Sequence, residues 1–350
     1  MDFRPPELGD IAATRAALRP YLAETPVVDW TGGELDDLMG HATHVALKLE
    51  LLQRSGSFKA RGAFAGILGL DVDELRRGVT TVSSGNHAIA TAYAARQLGT
   101  SAKVVVLSSA NPARLERCRR FGGEVVVADT GAAAFKLAER MVLVEGRTLI
   151  HPYEGRHVAL GTGTLGMEFS TQAGDLDAIV VPIGGGGLCA GVATAFKQLQ
   201  PGCRVYGVEP VGADVMYRSL LAGQPTTSLP IDTIADSLGA PFTCPYTFEL
   251  CRRTLDDVVL VDDDEIRFAM ALIFREMKQA VEPASAAATA ALIGPLRHEL
   301  AGKKVGIILC GANIDFRTYA NHVSSSHELP QPARVPRQAL SAHRERARTV

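Results

Sequence analysis

A lysine set among small residues is the first place where this sequence could do covalent chemistry. Lys59 lies in SGSFKARGA, residues 55–63, where glycine and serine let a bulky planar group approach the backbone and Phe58 offers a ring beside the amine. An amine desolvated there would be less basic than a free one and could attack a carbonyl or remove a proton. Taken alone, the segment suits a solvated surface lysine equally well. The second candidate is Ser83, Ser84, Gly85, Asn86 and His87, a strand-to-helix junction whose N–H groups could receive a carboxylate. Serine and asparagine are also what a helix cap demands, so both readings stand. The third is Gly184, Gly185, Gly186 and Gly187, between an apolar strand and a helix, where backbone N–H groups and the helix dipole can hold a phosphate. No Lys-Ser/Thr pair follows, which excludes a Walker A loop. GGGLCA at residues 185–190 also satisfies the G-x-G-x-x-G/A fingerprint, with Glu209 about 20 residues on, so these residues alone admit NAD. A plain tight turn is the remaining reading, set against the chain entropy that four glycines lose on folding.

The elements that must position these groups read as two α/β series. Residues 78–151 alternate short apolar runs (TTVSS, KVVVLS, EVVVAD, TLIHP) with helical stretches (HAIATAYAARQLG, PARLERCRRFG, AAAFKLAERMVLVEG). Strands joined by crossover helices imply a parallel sheet with helices on its faces. A second series starts at Asp177 with AIVVPI, continues through LCAGVATAFKQL and RVYGVEP, and closes near KVGIILCGANID. The length of 350 residues suits two domains. With 47% apolar and 21% charged residues the composition is that of a folded globular protein. The 36 basic and 38 acidic side chains leave a net charge of -2, so no global field favours nucleic acid or an anionic membrane, and a small-molecule partner is expected. The first residues lack the basic and apolar stretches of a signal peptide, and no run reaches the ~20 apolar residues of a membrane span, so a cytoplasmic site is expected. Six scattered cysteines without a CxxC pair read as reduced thiols. The end of the chain from about Ser324, rich in proline and arginine, reads as a mobile tail.

In order, SGSFKARGA, SSGNHAIATAYAA, HPYEGRHVALGTGT, VPIGGGGLCAGVA, VEPVGAD, TIADS, VEPASAAA and CGANIDF resemble the threonine/serine dehydratase and serine racemase group of fold-type II pyridoxal-phosphate (PLP) enzymes, over residues 25–316. The ordered set displaces the NAD reading, which explains neither SGSFK nor SSGNH. The resemblance implies an α/β protein of two domains with twisted, mainly parallel sheets flanked by helices and PLP at their interface. The large domain would comprise residues 1–68 and 156–323, the small one 69–155, and residues 324–350 the tail. It further implies that Lys59 holds PLP as a Schiff base, Phe58 packs on the ring, Asn86 bonds the ring hydroxyl, and Gly184, Gly185, Gly186 and Gly187 with the Leu188 amide bind the phosphate. Cys310 would face the pyridine nitrogen. Ser83, Ser84, Gly85, Asn86 and His87 would hold the substrate carboxylate, with Ser84 as acid or base opposite the lysine.

The implied function is an ammonia-lyase converting a small 3-hydroxy amino acid such as threonine, serine or 3-hydroxyaspartate to a 2-keto acid and ammonia, with racemisation as the alternative and a homodimer as the assembly. Departures from the family bear on substrate and metal. Thr162 stands where Gln is common, Ser237 where Gly is common, and LGAPFTCPYTFE at 238–249 is unlike the usual text. The divalent-ion site of some relatives would map to Glu209, Ala213 and position 215. Val215 supplies no carboxylate, so no metal is expected.

Overall fold

The computed structural model describes residues 3–227 and 230–324. The tail expected at 324–350 therefore lies, but for Ser324, outside the described residues. Ten strands form among them: β1 (Val27–Trp30), β2 (His44–Lys48), β3 (Val79–Val82), β4 (Ala102–Leu107), β5 (Glu124–Ala128), β6 (Thr148–Leu149), β7 (Ala178–Pro182), β8 (Arg204–Pro210), β9 (Asp257–Val261) and β10 (Lys304–Ile308). They pair into a six-stranded sheet ordered β1-β2-β10-β7-β8-β9 and a four-stranded sheet ordered β5-β4-β3-β6. All pairings are parallel except β1 with β2.

Parallel strands need crossover helices, which cover the sheet faces and leave central strands apolar on both sides. In β7 the side chains of Ile179, Val180 and Val181 are all fully buried, and truncating one to alanine would cost about 2–5 kcal/mol. Helix Pro283–Ile293, an alanine-rich segment buried along its whole length, lies against β7, β8, β9 and β10. Helix Asp263–Met277 starts where the Asp262 carboxylate accepts the N–H groups of Asp264 and Glu265, satisfying donors that a helix start leaves free.

A buried ionic cluster pins the segment carrying the candidate lysine. Arg61, in helix Lys59–Leu68, donates from Nε to Glu50 Oε2 at 2.8 Å and from Nη2 to Glu50 Oε1 at 2.7 Å and Glu168 Oε1 at 3.1 Å. Lys48 at the end of β2 donates to the same Glu168 oxygen at 2.5 Å. Helix Lys59–Leu68 is thus fixed to both β2 and helix Arg156–Ala173 two residues from Lys59.

Candidate functional site

The C-terminal ends of the strands in both sheets point to one cavity of about 750 Å³. Segments after β3 (Ser83, Ser84), β6 (His151, Tyr153), β7 (Gly184, Gly185) and β10 (Cys310) all line it, the place where open parallel sheets bind ligands. Phe58, Lys59, Ser83, Ser84, Gly85, Asn86, His87, Gly184, Gly185, Gly186, Gly187, Leu188 and Cys310 all face this cavity, although they come from segments up to 252 residues apart in sequence (310 − 58).

Lys59 begins its helix, and its Nζ donates to the carbonyl of Pro152 at 2.7 Å while lying 5.1 Å from the Phe58 ring centroid. Burial brings its pKa down to about 8, against the opposing pull of Cys310 and Glu282, so about a tenth of the amine is unprotonated at pH 7. The Phe58 N–H donates to the Cys310 carbonyl at 3.0 Å and Ser57 bridges to Gly311, which seats the lysine segment on the end of β10. The Cys310 thiol, 3.4 Å from Ser285 Oγ, is pushed up to about 12 by burial and the nearby Glu282, and is neutral.

Gly85 caps helix Asn86–Gln97. The Leu107 N–H donates to Ser84 Oγ at 2.9 Å, leaving the hydroxyl proton of Ser84 to point elsewhere. The amide of Asn86 is held by Asn313 Nδ2 on Oδ1 at 2.6 Å and donates from Nδ2 to Glu282 Oε1 at 2.5 Å. His87 Nε2 lies 2.9 Å from the Ile150 carbonyl, and burial, then the Lys59 charge, brings its pKa down to about 3. A carbonyl only accepts, so Nε2 carries the proton and the neutral ring has Nδ1 as its acceptor.

The tetraglycine turn ends at helix Gly187–Leu199, whose first N–H groups lack partners within the helix. Gly186 has φ +89°, the left-handed region. A Cβ on Gly185 would lie 2.3 Å from the Tyr153 ring, so no side chain fits between this turn and the tyrosine. Thr162 Oγ1 lies 2.8 Å from the Gly187 carbonyl and 2.9 Å from that of Val158, which ties helix Arg156–Ala173 to the turn. A glycine turn at a helix start, a partly deprotonated amine beside an aromatic face, an oriented amide and a neutral thiol share one cavity. This donor set fits PLP.

Glu209 does not join them. It is fully buried, and its two oxygens accept the N–H groups of Met216 at 2.9 Å and Tyr217 at 2.7 Å; Ala213 is buried in the turn beside it. A carboxylate committed to a helix start cannot grip a ribose, which removes the structural support for the dinucleotide alternative. Residues with no role read from the sequence also line the cavity: His151, Tyr153, Arg114, Asp236 and Glu282. Arg114 pairs with both oxygens of Asp236 and has Nη2 3.7 Å from Glu282 Oε2. Their only sequence signal was position, HPYEG directly after an apolar run and VEPASAAA ahead of a helix.

Comparison with known proteins agrees with this geometry. A family profile described as pyridoxal-phosphate dependent enzyme matches residues 18–311. Phenylserine dehydratase of Ralstonia pickettii is 54% identical over 318 residues, covering 91% of this chain and 96% of the relative. Serine racemase of Oryza sativa subsp. indica is 36% identical, covering 88% and 91%. The structure of maize serine racemase superposes with a TM-score of 0.85 at 35% identity, covering 92% of this chain and 98% of that one.

Proposed function

The chain belongs to the pyridoxal-phosphate dependent enzymes, and we propose that it is an ammonia-lyase that removes the Cα proton and β-hydroxyl of a 3-hydroxy amino acid as water, after which the released enamine is hydrolysed to a 2-keto acid and ammonia. The observation that carries this reading is the pairing in one cavity of a Lys59 amine with a pKa of about 8 and a Cys310 thiol that stays neutral. Bound PLP supplies the electron sink that makes a substrate Cα proton removable. Lys59 would anchor it, and its Nζ, freed when the substrate amine takes its place, would accept that proton. Phe58 would pack on the ring, Asn86 would bond the ring hydroxyl, and Gly184, Gly185, Gly186, Gly187 and the Leu188 amide would hold the phosphate. The backbone from Ser83 to His87 receives the substrate carboxylate at the start of helix Asn86–Gln97. A neutral Cys310 thiol would offer the ring nitrogen no negative charge, which would favour prompt expulsion of a β-hydroxyl over reactions that must store charge for longer.

The four-stranded sheet and its helices, residues 69–155, are read as a small domain against a large one of residues 1–68 and 156–323. A homodimer in the cytoplasm belongs to the same reading, supported by the family resemblance; no described helix is long and apolar enough to cross a membrane. The deciding experiment incubates the purified protein with serine, threonine, 3-hydroxyaspartate and 3-phenylserine, and quantifies keto acid and ammonia. Equal amounts of both from at least one substrate are expected. Inversion of configuration without ammonia would assign a racemase.

A further inference from the structure

One wall of the cavity is built from apolar side chains for which the small hydroxy amino acids have no use. Phe135, Leu149 and Ile231 are 47%, 43% and 44% exposed, and all three face the cavity. Single exposed apolar residues are ordinary, but three converging on one ligand cavity mark surface awaiting a partner. Phe135 lies on helix Gly131–Glu145, whose buried residues are Ala134, Ala138 and Met141, so it is turned off the core of its own unit. Leu149 ends β6 in the same unit. Ile231 arrives from the other side, its position fixed by the Asp232 N–H on the Gly212 carbonyl at 2.9 Å and by contact with Gly239.

Aromatic rings connect this wall to the base of the site. Phe135 meets Phe242 with centroids 6.0 Å apart, Phe242 meets Tyr153 at 6.1 Å, and Tyr153 meets His151 edge-on at 4.7 Å. The Tyr153 hydroxyl donates to the Phe242 carbonyl at 3.1 Å. Phe242 lies in LGAPFTCPYTFE, the segment whose sequence departs from the dehydratase pattern. Within this segment Phe242 backs Phe135, while Leu238 and Thr247 pack against Gly184 and Gly186. Ser83, Ser84 and Asn111 line the cavity as well and give it polar groups for an amino-acid head. Serine would leave the apolar wall wet, and threonine would cover it with one methyl. An aryl ring offers flat area that suits ring edges and faces.

Resting on the ammonia-lyase reading, we propose that Phe135, Leu149 and Ile231, with Phe242 behind Phe135, form a subsite for an aryl β-substituent, so that 3-aryl-3-hydroxy amino acids are the preferred substrates. The wild-type holoenzyme then has a kcat/KM for 3-phenylserine at least about tenfold that for threonine, the scale on which a hydrophobic pocket discriminates. Phe135→Ser and, independently, Ile231→Ser lower that ratio about tenfold or more. Leu143→Ser, on the same helix at a position 76% exposed and outside the cavity, leaves it unchanged. Calorimetry on the holoenzyme supplies a readout without elimination: L-phenylalanine, which lacks the leaving hydroxyl, binds more tightly than L-alanine, and both cavity variants lose that preference. Wild-type enzyme that handles threonine or serine at least as well as 3-phenylserine, or a ratio unmoved in both cavity variants, overturns the subsite while leaving the ammonia-lyase reading intact. Aryl-selective binding without ammonia release from any substrate overturns the reaction and leaves the subsite standing.

Discussion

Asn86 Nδ2 lies 2.5 Å from Glu282 Oε1, an amide and a buried carboxyl brought together from 196 residues apart. Glu282 is 1% exposed, its Oε2 has no hydrogen-bond partner, and burial raises its pKa while Arg114 opposes the rise. A carboxyl whose folded pKa is raised binds its proton more tightly in the native state. Its contribution to stability is complete below the unfolded value and is lost as pH climbs through the folded one.

Glu282→Gln, which cannot ionise and keeps an acceptor for Asn86, should therefore gain melting temperature relative to wild type as pH rises from weakly acidic to alkaline. Scanning fluorimetry across a pH series measures this. A constant difference at every pH would show that Glu282 keeps its usual carboxylate pKa.

Arg61 is the common partner of Glu50 and Glu168 in a cluster that water does not reach. Arg61→Ala strands the buried Glu50 carboxylate and leaves Glu168 to Lys48 alone, and loss of one partner from a buried pair costs about 3–5 kcal/mol. The urea midpoint should fall accordingly. A variant as stable as wild type would mean that the cluster is solvated.

Gly185→Ala sets a methyl against a Tyr153 ring that is already held by its hydroxyl. Overpacking of this kind costs about 1–3 kcal/mol, and displacement of the turn also disturbs the phosphate cradle. Melting of the cofactor-free protein and PLP titration should both worsen, the second more. Unchanged PLP affinity would make the turn a packing device alone.

Ser84→Ala removes the acceptor that Leu107 N–H uses at 2.9 Å and the hydroxyl that could return a proton opposite Lys59. Any D-amino acid product should vanish, while keto-acid formation from the L-substrate stays within about tenfold, ~1.4 kcal/mol in barrier. Chiral chromatography beside a keto-acid assay tests the pair of outcomes. Elimination lost as completely as the D-product would place Ser84 on the elimination path itself.

What the sequence disclosed, and what it hid, follows from the range of the interactions. Strands β3 to β8 and β10 were legible because each is an apolar run followed or preceded by helix-period text, and the tetraglycine turn because no helix or strand tolerates it. β1, β2 and β9 were not read: four or five residues with charges at Asp29, Lys48 and Asp257 carry no clear period. The partnership of Arg61 with Glu168 spans 107 residues and that of Asn86 with Asn313 spans 227, so neither leaves a local trace. Charged residues are ordinarily outside, and for that reason Glu282 drew no attention although it orients Asn86. Phe135 reads as one apolar residue in a helix; only the fold brings it to the cavity that Ile231 also lines.

The central claim is that Lys59 carries the cofactor, and borohydride reduction of the purified protein followed by peptide mass mapping tests it most directly. A phosphopyridoxyl adduct is expected on the peptide containing Lys59 and none on Lys59→Ala, which should also release no ammonia from any hydroxy amino acid. An adduct on another lysine, or undiminished labelling and turnover in Lys59→Ala, would contradict it.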